Sequence, residues 1–171
     1  ITGIDQPNCI KKLKEKIKDN KNVKLIGDDF LSHQFQNKKY KKIIIYSVIH
    51  TLKNKKEAYK FIMKAINLLE PQGKILIGDI PNVSLKKRFI NSQNGKKFLK
   101  KWNKINKMSE IDITAQRILE KDKSSKLLIN DEFILNLLRY LRKKHYNVFL
   151  IKQNSELPFG NTREDIIIEK L

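Results

Sequence analysis

The sequence predicts an α/β fold organised on a mostly parallel sheet, and two observations carry that expectation. Residues 42–82, KIIIYSVIHTLKNKKEAYKFIMKAINLLEPQGKILIGDIPN, read as a strand, a polar loop, a helix, a Pro/Gly turn and a second strand, which is one βαβ unit. Upstream, the apolar runs 1–5 and 23–27 both lead into acids, Asp5 in one case and Asp28 with Asp29 in the other. In open sheets of this kind, ligands bind beyond the carboxyl ends of the strands, so polar groups at those ends are the first place to look for function.

Composition narrows the class. At 171 residues the chain has room for one domain with one sizeable core. Its single cysteine, Cys9, staples nothing, no apolar run is long enough to cross a bilayer, and no secretory signal precedes the first strand, so a reducing cytoplasm is the expected location. Three histidines and one cysteine lie scattered without C-x-x-C or H-x-x-x-H spacing, which speaks against a metal site. No G-x-S-x-G elbow or Walker loop is present, which speaks against hydrolases and nucleoside triphosphatases. A net charge of +19 invites a nucleic-acid reading. The basic residues are overwhelmingly Lys, spread through almost every segment. Arg, whose fork suits phosphates and bases, occurs only at positions 88, 117, 139, 142 and 163. Dispersed lysine is the pattern of a solvated surface.

In chain order, residues 1–5 form an apolar strand ending in Asp5. A carboxylate there offers two acceptor oxygens to the adjacent hydroxyls of a ribose. The alternative use of Asp5, or of Asn8, is to cap the next helix. Gln6 follows directly, beside any cofactor that Asp5 holds. Residues 9–19 suit a helix with Ile10, Leu13 and Ile17 inward, 23–27 a strand, and Asp28-Asp29-Phe30 a turn. His33 is expected on a surface loop. Residues 43–46 are short and apolar enough for a buried parallel strand, with Ser47 and His50 where it ends. Ala58, Phe61, Ile62, Ala65, Ile66 and Leu69 recur at helical spacing. Pro71 and Gly73 then stop the helix before a strand at 75–77, which runs into Asp79 and Asn82.

Residues 83–125 are Lys-rich and helical in pattern, with Phe98, Leu99, Trp102 and Ile105 on one face and Ile111, Ala115, Ile118 and Leu119 on another. Ser109 with Asp112 makes a capping-box-like start. This helical insertion reads as a lid over the site, with Trp102 as its anchor; a surface helical pair or a homodimer contact is the alternative. Asn130 caps a further helix, acidic in its first turn and carrying Lys143, Lys144 and His145 in its last. Strands at 148–151 and 165–168 flank a polar loop at 154–162.

The stretch S-V-I-H-x-L followed by L-L-x-P-x-G-K-I-L-I-G-D resembles the middle of class I S-adenosylmethionine (SAM) dependent methyltransferases. The strand T-G-I-D, the D-D-F turn and the ending R-E-D-I-I-I-E-K resemble other parts of that family. The resemblance implies a three-layer αβα Rossmann-like fold whose last two strands form an antiparallel hairpin at the sheet edge. It also implies SAM as cofactor and S-adenosyl-L-homocysteine (SAH) as product. Asp5, Gln6, Asp28, Asp29, Phe30 and Ser47 are then the cofactor residues. Asp29 is favoured over Asp28 as acceptor from the adenine amino group, and Phe30 as the cover of the ring. His50 becomes the candidate general base, since an imidazole's ordinary pKa of about 6.5 suits proton removal at neutral pH; closing the strand–helix turn is its other use. His50, Asp79, Asn82 and Trp102 are the candidate acceptor-binding residues.

One part of that pattern is missing. None of the six glycines forms the G-x-G loop that lets the backbone approach the cofactor, and in the family that loop follows a central strand. The chain begins at Ile1 without Met, so strand and loop are expected upstream of Ile1. Residues 1–171 alone are not expected to hold SAM tightly or to be active. The expected activity of the parent is methyl transfer to oxygen or nitrogen of a small molecule, such as a sugar or sugar-nucleotide intermediate. That acceptor rests on the lack of an Arg-rich or aromatic nucleic-acid platform and on the lid-like insertion; the N-P-P-Y signature of base-amino methyltransferases is absent as well. An RNA or tRNA methyltransferase, or a non-catalytic binding domain of the same fold, are the rivals.

Overall fold

The computed structural model describes all residues except 18–20, 107–126 and 158. The chain forms two compact units, Ile1–Lys39 and Tyr40–Leu171.

The first unit is a βαβ unit. Strand β1 (Thr2–Asp5) and strand β2 (Lys24–Gly27) pair in parallel, Asp5 opposite Gly27, across helix α1 (Pro7–Lys16). The helix starts two residues earlier than its apolar spacing suggests. Pro7 occupies its first position, where the missing N–H is no loss and the fixed φ is already helical. Ile10 is its buried residue, packed near Gly27.

The second unit is built on a four-stranded sheet, in the order β3 (Tyr40–Tyr46), β4 (Leu69–Pro81), β6 (Arg163–Glu169), β5 (Asn147–Lys152). β3 and β4 are parallel, while β6 is antiparallel to both β4 and β5. Three strands therefore run one way and β6 alone is reversed, with β5 at the edge. The βαβ unit read from the sequence is present, through helix α2 (Lys55–Asn67). Asn54 caps it by accepting from the Glu57 amide, and Glu57 in turn accepts from the Lys53 amide.

The Pro/Gly turn expected between helix and strand lies inside β4. Leu69, which fits the helical spacing, instead pairs with Tyr40; Lys42 then pairs with Lys74, so two steps along β3 match five along β4. Pro71, Gln72 and Gly73 take up the excess, with Gln72 at φ 61°. A Cβ on Gly73 would lie 2.9 Å from the Glu70 carbonyl and 3.2 Å from that of Lys41, so only glycine fits. Downstream, Ile77 pairs with Ile166 but Ile80 with Glu164, a one-residue bulge that holds Gly78 and Asp79.

Register explains the core. Ile75 faces Ile168 and Ile77 faces Ile166, and all four are fully buried. Over them lie Ala65 and Ile66 of α2 and Phe133, Leu137 and Leu141 of helix α5 (Asp131–Lys143), also buried. Tyr59 of α2 meets Phe133 and Tyr140 of α5 edge-on, at 6.2 and 4.9 Å, so the two helices are neighbours on one face. The register row Ile44–Leu76–Ile167–Phe149 belongs to the other face, and its ends are 73% and 47% exposed.

Asn130 caps α5 as expected, accepting from the Phe133 amide at 2.9 Å. His145 lies beyond the helix rather than in its last turn. It takes φ 64°, and its amide and that of Tyr146 donate to the Arg142 and Leu141 carbonyls, which is a Schellman ending with histidine in glycine's usual place. Of the insertion, α3 (Val83–Asn91) and α4 (Gln93–Asn106) are described and pack on each other. The face formed by Ile111, Ala115, Ile118 and Leu119, the Ser109–Asp112 box, and the side chain of Ile105 lie outside the described residues. No described helix is long and apolar enough to cross a membrane.

Candidate active site

In the first unit, the parallel register sets Asp5 and the Asp28–Asp29 pair at neighbouring strand tips, where the Asp28 amide donates to the Asp5 carbonyl at 3.0 Å. Asp5 does not cap the helix. Gln6 holds the cap position without a side-chain bond, Asn8 lies inside α1, and Asp5 Oδ1 accepts only from the adjacent Gln6 amide at 2.7 Å. Asp5 is exposed, and its second oxygen takes no hydrogen bond from a described residue.

The two acids of the turn differ in what they already hold. Asp28 Oδ1 accepts from the Asp29 amide and Oδ2 lies 2.8 Å from His33 Nδ1. His33 is thus not a bare loop residue; it pairs with Asp28, and its ring stands edge-on to Phe35 at 4.7 Å. Asp29 Oδ1 accepts from the Ser32 amide, and its other oxygen is the one left open among the described residues. Phe30 packs at a tilt on Phe35 with centroids 5.6 Å apart. Open carboxylate oxygens at two neighbouring tips, beside an aromatic pair, fit a nucleoside: acceptors for hydroxyls and an amine, and a face for a purine.

In the second unit, the carboxyl ends of β3 and β4 are joined through two residues in the left-handed region, Ser47 at φ 56° and Asp79 at φ 58°. Neither is glycine, and such outliers persist only where the surroundings over-determine them, often at functional sites. Here the Ser47 amide donates to the Gly78 carbonyl at 3.1 Å and Ser47 Oγ donates to Asp79 Oδ2 at 2.5 Å. The Asp79 amide donates to Asp165 Oδ1 at 3.0 Å, and Arg163 Nε stands 3.5 Å from Asp79 Oδ1. The Tyr46 ring lies across Gly78, where a Cβ would come within 2.5 Å of it, and the Tyr46 hydroxyl accepts from the buried Gln153 amide. His50 is half-buried in the single turn Ile49–Thr51 that follows, above buried Ile49.

Arg163 is the residue that sequence reading missed. Its guanidinium lies over the Phe159 ring at 5.3 Å, and Nη1 is buried without a hydrogen-bond partner among the described residues. The available signal was the charged run R-E-D heading an apolar strand: because β6 is reversed, its first residues land beside the last residues of β4, with Arg163 opposite Pro81.

Asn82 requires a correction. Expected at the mouth to bind an acceptor, it is 1% exposed and all its side-chain bonds are made. Oδ1 accepts from the Ser84 and Leu85 amides to cap α3, while Nδ2 donates to Asp131 Oδ1 and Glu164 Oε2, both at 2.7 Å. Arg88 closes the same cluster on Asp131. Its hydrogen bond first, and that of Asn82 second, hold the Asp131 carboxyl below its ordinary pKa. Trp102 of α4 is 41% exposed and stacks on Phe98, which in turn touches Phe89. Two open hollows of about 420 and 510 Å³ flank Arg142 beside α5 and β5, and none of the candidate residues lines either.

No protein-family model matches the sequence, and no curated protein matches it either. Among solved structures the chain is similar to the methyltransferase domain of bacterial CtHen1-C, with a TM-score of 0.63 and 13% identity over 99% of this chain and 76% of that one. It is similar to an O-methyltransferase family 2 protein from Planctomyces limnophilus in complex with apigenin, with a TM-score of 0.59 and 15% identity over 99% of this chain and 43% of that one. The N-methyltransferase NodS from Bradyrhizobium japonicum, in complex with SAH, gives a TM-score of 0.58 and 12% identity over 99% and 65%. The chain thus spans between under half and three quarters of the length of these neighbours. With β6 reversed between β4 and β5, and with these likenesses, the chain has the class I SAM-dependent methyltransferase fold.

Proposed function

We propose that this chain is a domain of a SAM-dependent methyltransferase acting on oxygen or nitrogen of a small molecule, a sugar or sugar-nucleotide intermediate. The observation that carries the reading is the register of β1 with β2, which brings the open oxygens of Asp5 and Asp29 to neighbouring strand tips in a fold shared with solved methyltransferases. Asp5 is assigned the ribose hydroxyls, Asp29 the adenine amino group, Phe30 the purine face, and Gln6 a supporting contact. Bound SAM supplies an electrophilic methyl group on a sulfonium, and its transfer needs little beyond in-line placement of the acceptor. His50 takes the proton that the acceptor oxygen or nitrogen loses. Ser47 and Arg163 orient the Asp79 carboxylate at the acceptor side.

The test is transfer of a labelled methyl group from SAM by the full-length protein, with sugar nucleotides as acceptors. His50→Gln is expected to lower kcat by roughly 10² or more, the usual worth of a general base. A loss of less than about threefold removes His50 from the chemistry. Absence of SAH binding by the full-length protein removes the enzyme reading itself.

A further inference from the structure

We propose that the α3–α4 hairpin holds the nucleotide end of the acceptor, a base on Phe98 and Trp102 and its phosphates on the lysines beside them; this rests on the methyltransferase reading above. The sequence 83–106 carries eight cations and no acid, whereas helices α1, α2 and α5 each carry at least one acid. Arg88 is taken by Asp131. The six lysines at 86, 87, 96, 97, 100 and 101 are exposed, and none pairs with an acid among the described residues. Six unneutralised charges on two packed helices repel one another, and a polyanion is the partner that relieves them.

The aromatic side chains give the anion its chemistry. Phe98 and Trp102, one helical turn apart, lie nearly parallel, with an interplanar angle of 24° and centroids 5.8 Å apart, and each is 41% exposed. Phe89 supports Phe98 from α3 at 5.7 Å. Lys97 and Lys101 each precede one of these rings in the sequence, so they flank the aromatic stripe roughly 100° round the helix. Exposed rings flanked by free cations are the arrangement that binds a base by stacking and its phosphates by charge. Helix α4 therefore carries an aromatic platform, which the sequence alone does not lead one to expect. Position favours the acceptor as ligand, because Asn82 roots α3 at the carboxyl end of β4, three residues beyond Asp79, and locks it to Asp131 and Glu164.

A nucleotide reaches this surface either as a free sugar nucleotide or as a unit of a nucleic-acid strand, and Trp102, the only tryptophan of the chain, reports on both. The full-length protein is titrated with UDP, UDP-N-acetylglucosamine, a uridine decamer and inorganic pyrophosphate, and tryptophan emission is followed. Saturable quenching by UDP is expected, weakened about tenfold by Phe98→Ala. The surface pair Lys97→Gln with Lys101→Gln, which leaves the packing intact, is expected to weaken binding and flatten its salt dependence. Equal affinity of UDP and the decamer supports a free sugar nucleotide; a decamer at least tenfold tighter assigns a nucleic-acid strand and overturns the sugar-nucleotide acceptor. No quenching at millimolar ligand, pyrophosphate binding as well as UDP, or lysine variants that bind like the wild type would overturn the proposal. Calorimetry with SAH on the same samples separates the readings: SAH binding without nucleotide binding sinks this inference alone, and nucleotide binding without SAH binding sinks the methyltransferase reading.

Discussion

Asn82 offers a perturbation whose two halves have opposite chemistry. Its Oδ1 caps α3 and its Nδ2 bridges two carboxylates. Asn82→Ala removes both: about 1 kcal/mol for the cap and roughly 1.5–3 kcal/mol for each bond to a charged acceptor. Asp131 is 39% exposed on its side chain and recovers part of that from water, so a total of about 3 kcal/mol is expected. For a chain of this size that lowers Tm by roughly 6–12 °C. Asn82→Asp keeps the cap acceptor but turns the bridging amide into a third carboxylate facing Asp131 and Glu164. Like charges at contact distance repel by up to about 4 kcal/mol each at an intermediate dielectric, so this variant is expected to be at least as unstable as the alanine at pH 7.5. The introduced carboxyl then has a folded pKa above its unfolded value of about 3.9. The folded state binds the extra proton, and stability rises as pH falls towards about 5. Urea unfolding followed by circular dichroism at the two pH values measures this. If the aspartate variant lies within about 0.5 kcal/mol of the wild type at pH 7.5, the amide bridge contributes nothing and Asn82 is a cap only.

Two further outcomes follow from the same unit. Arg88 and Asn82 lower the folded pKa of Asp131, so its contribution is complete above the unfolded value and is lost as pH falls through the folded one, below about pH 4. The urea midpoints of the wild type and Asp131→Asn should therefore converge between pH 5 and 2.5, and a gap that stays constant contradicts the pairing. His145→Gly relieves a left-handed residue at the end of α5 and should raise stability by about 1 kcal/mol in thermal unfolding. An unchanged or lowered Tm refutes that reading of the helix end.

What could be read from the sequence was the part set by local pattern. The apolar runs at 43–46, 75–77, 148–151 and 165–168 all lie within strands, and Asn130 caps α5, because burial and capping leave their mark on neighbouring residues. Decisions made by pairing left no such mark. Leu69 fits the helix spacing as well as a strand, and only its pairing opposite Tyr40 decides. Ser47 and Asp79 sit at positive φ without a glycine to announce it, held by each other across β3 and β4. Arg163 joins them because β6 is reversed, a fact of topology. Asn82 carried a legible signal, an asparagine immediately before a helix, but its second role depends on Asp131 and Glu164, 49 and 82 residues away.

Binding of an adenosyl group at the carboxyl tips of β1 and β2 underlies the proposed activity. Amide chemical-shift mapping of the isotope-labelled full-length protein with SAH tests it directly. The largest shifts are expected at Asp5, Gln6 and residues 28–30, and Asp5→Asn should abolish them. Shifts clustered around Arg142 instead, or none at saturating SAH, would contradict it.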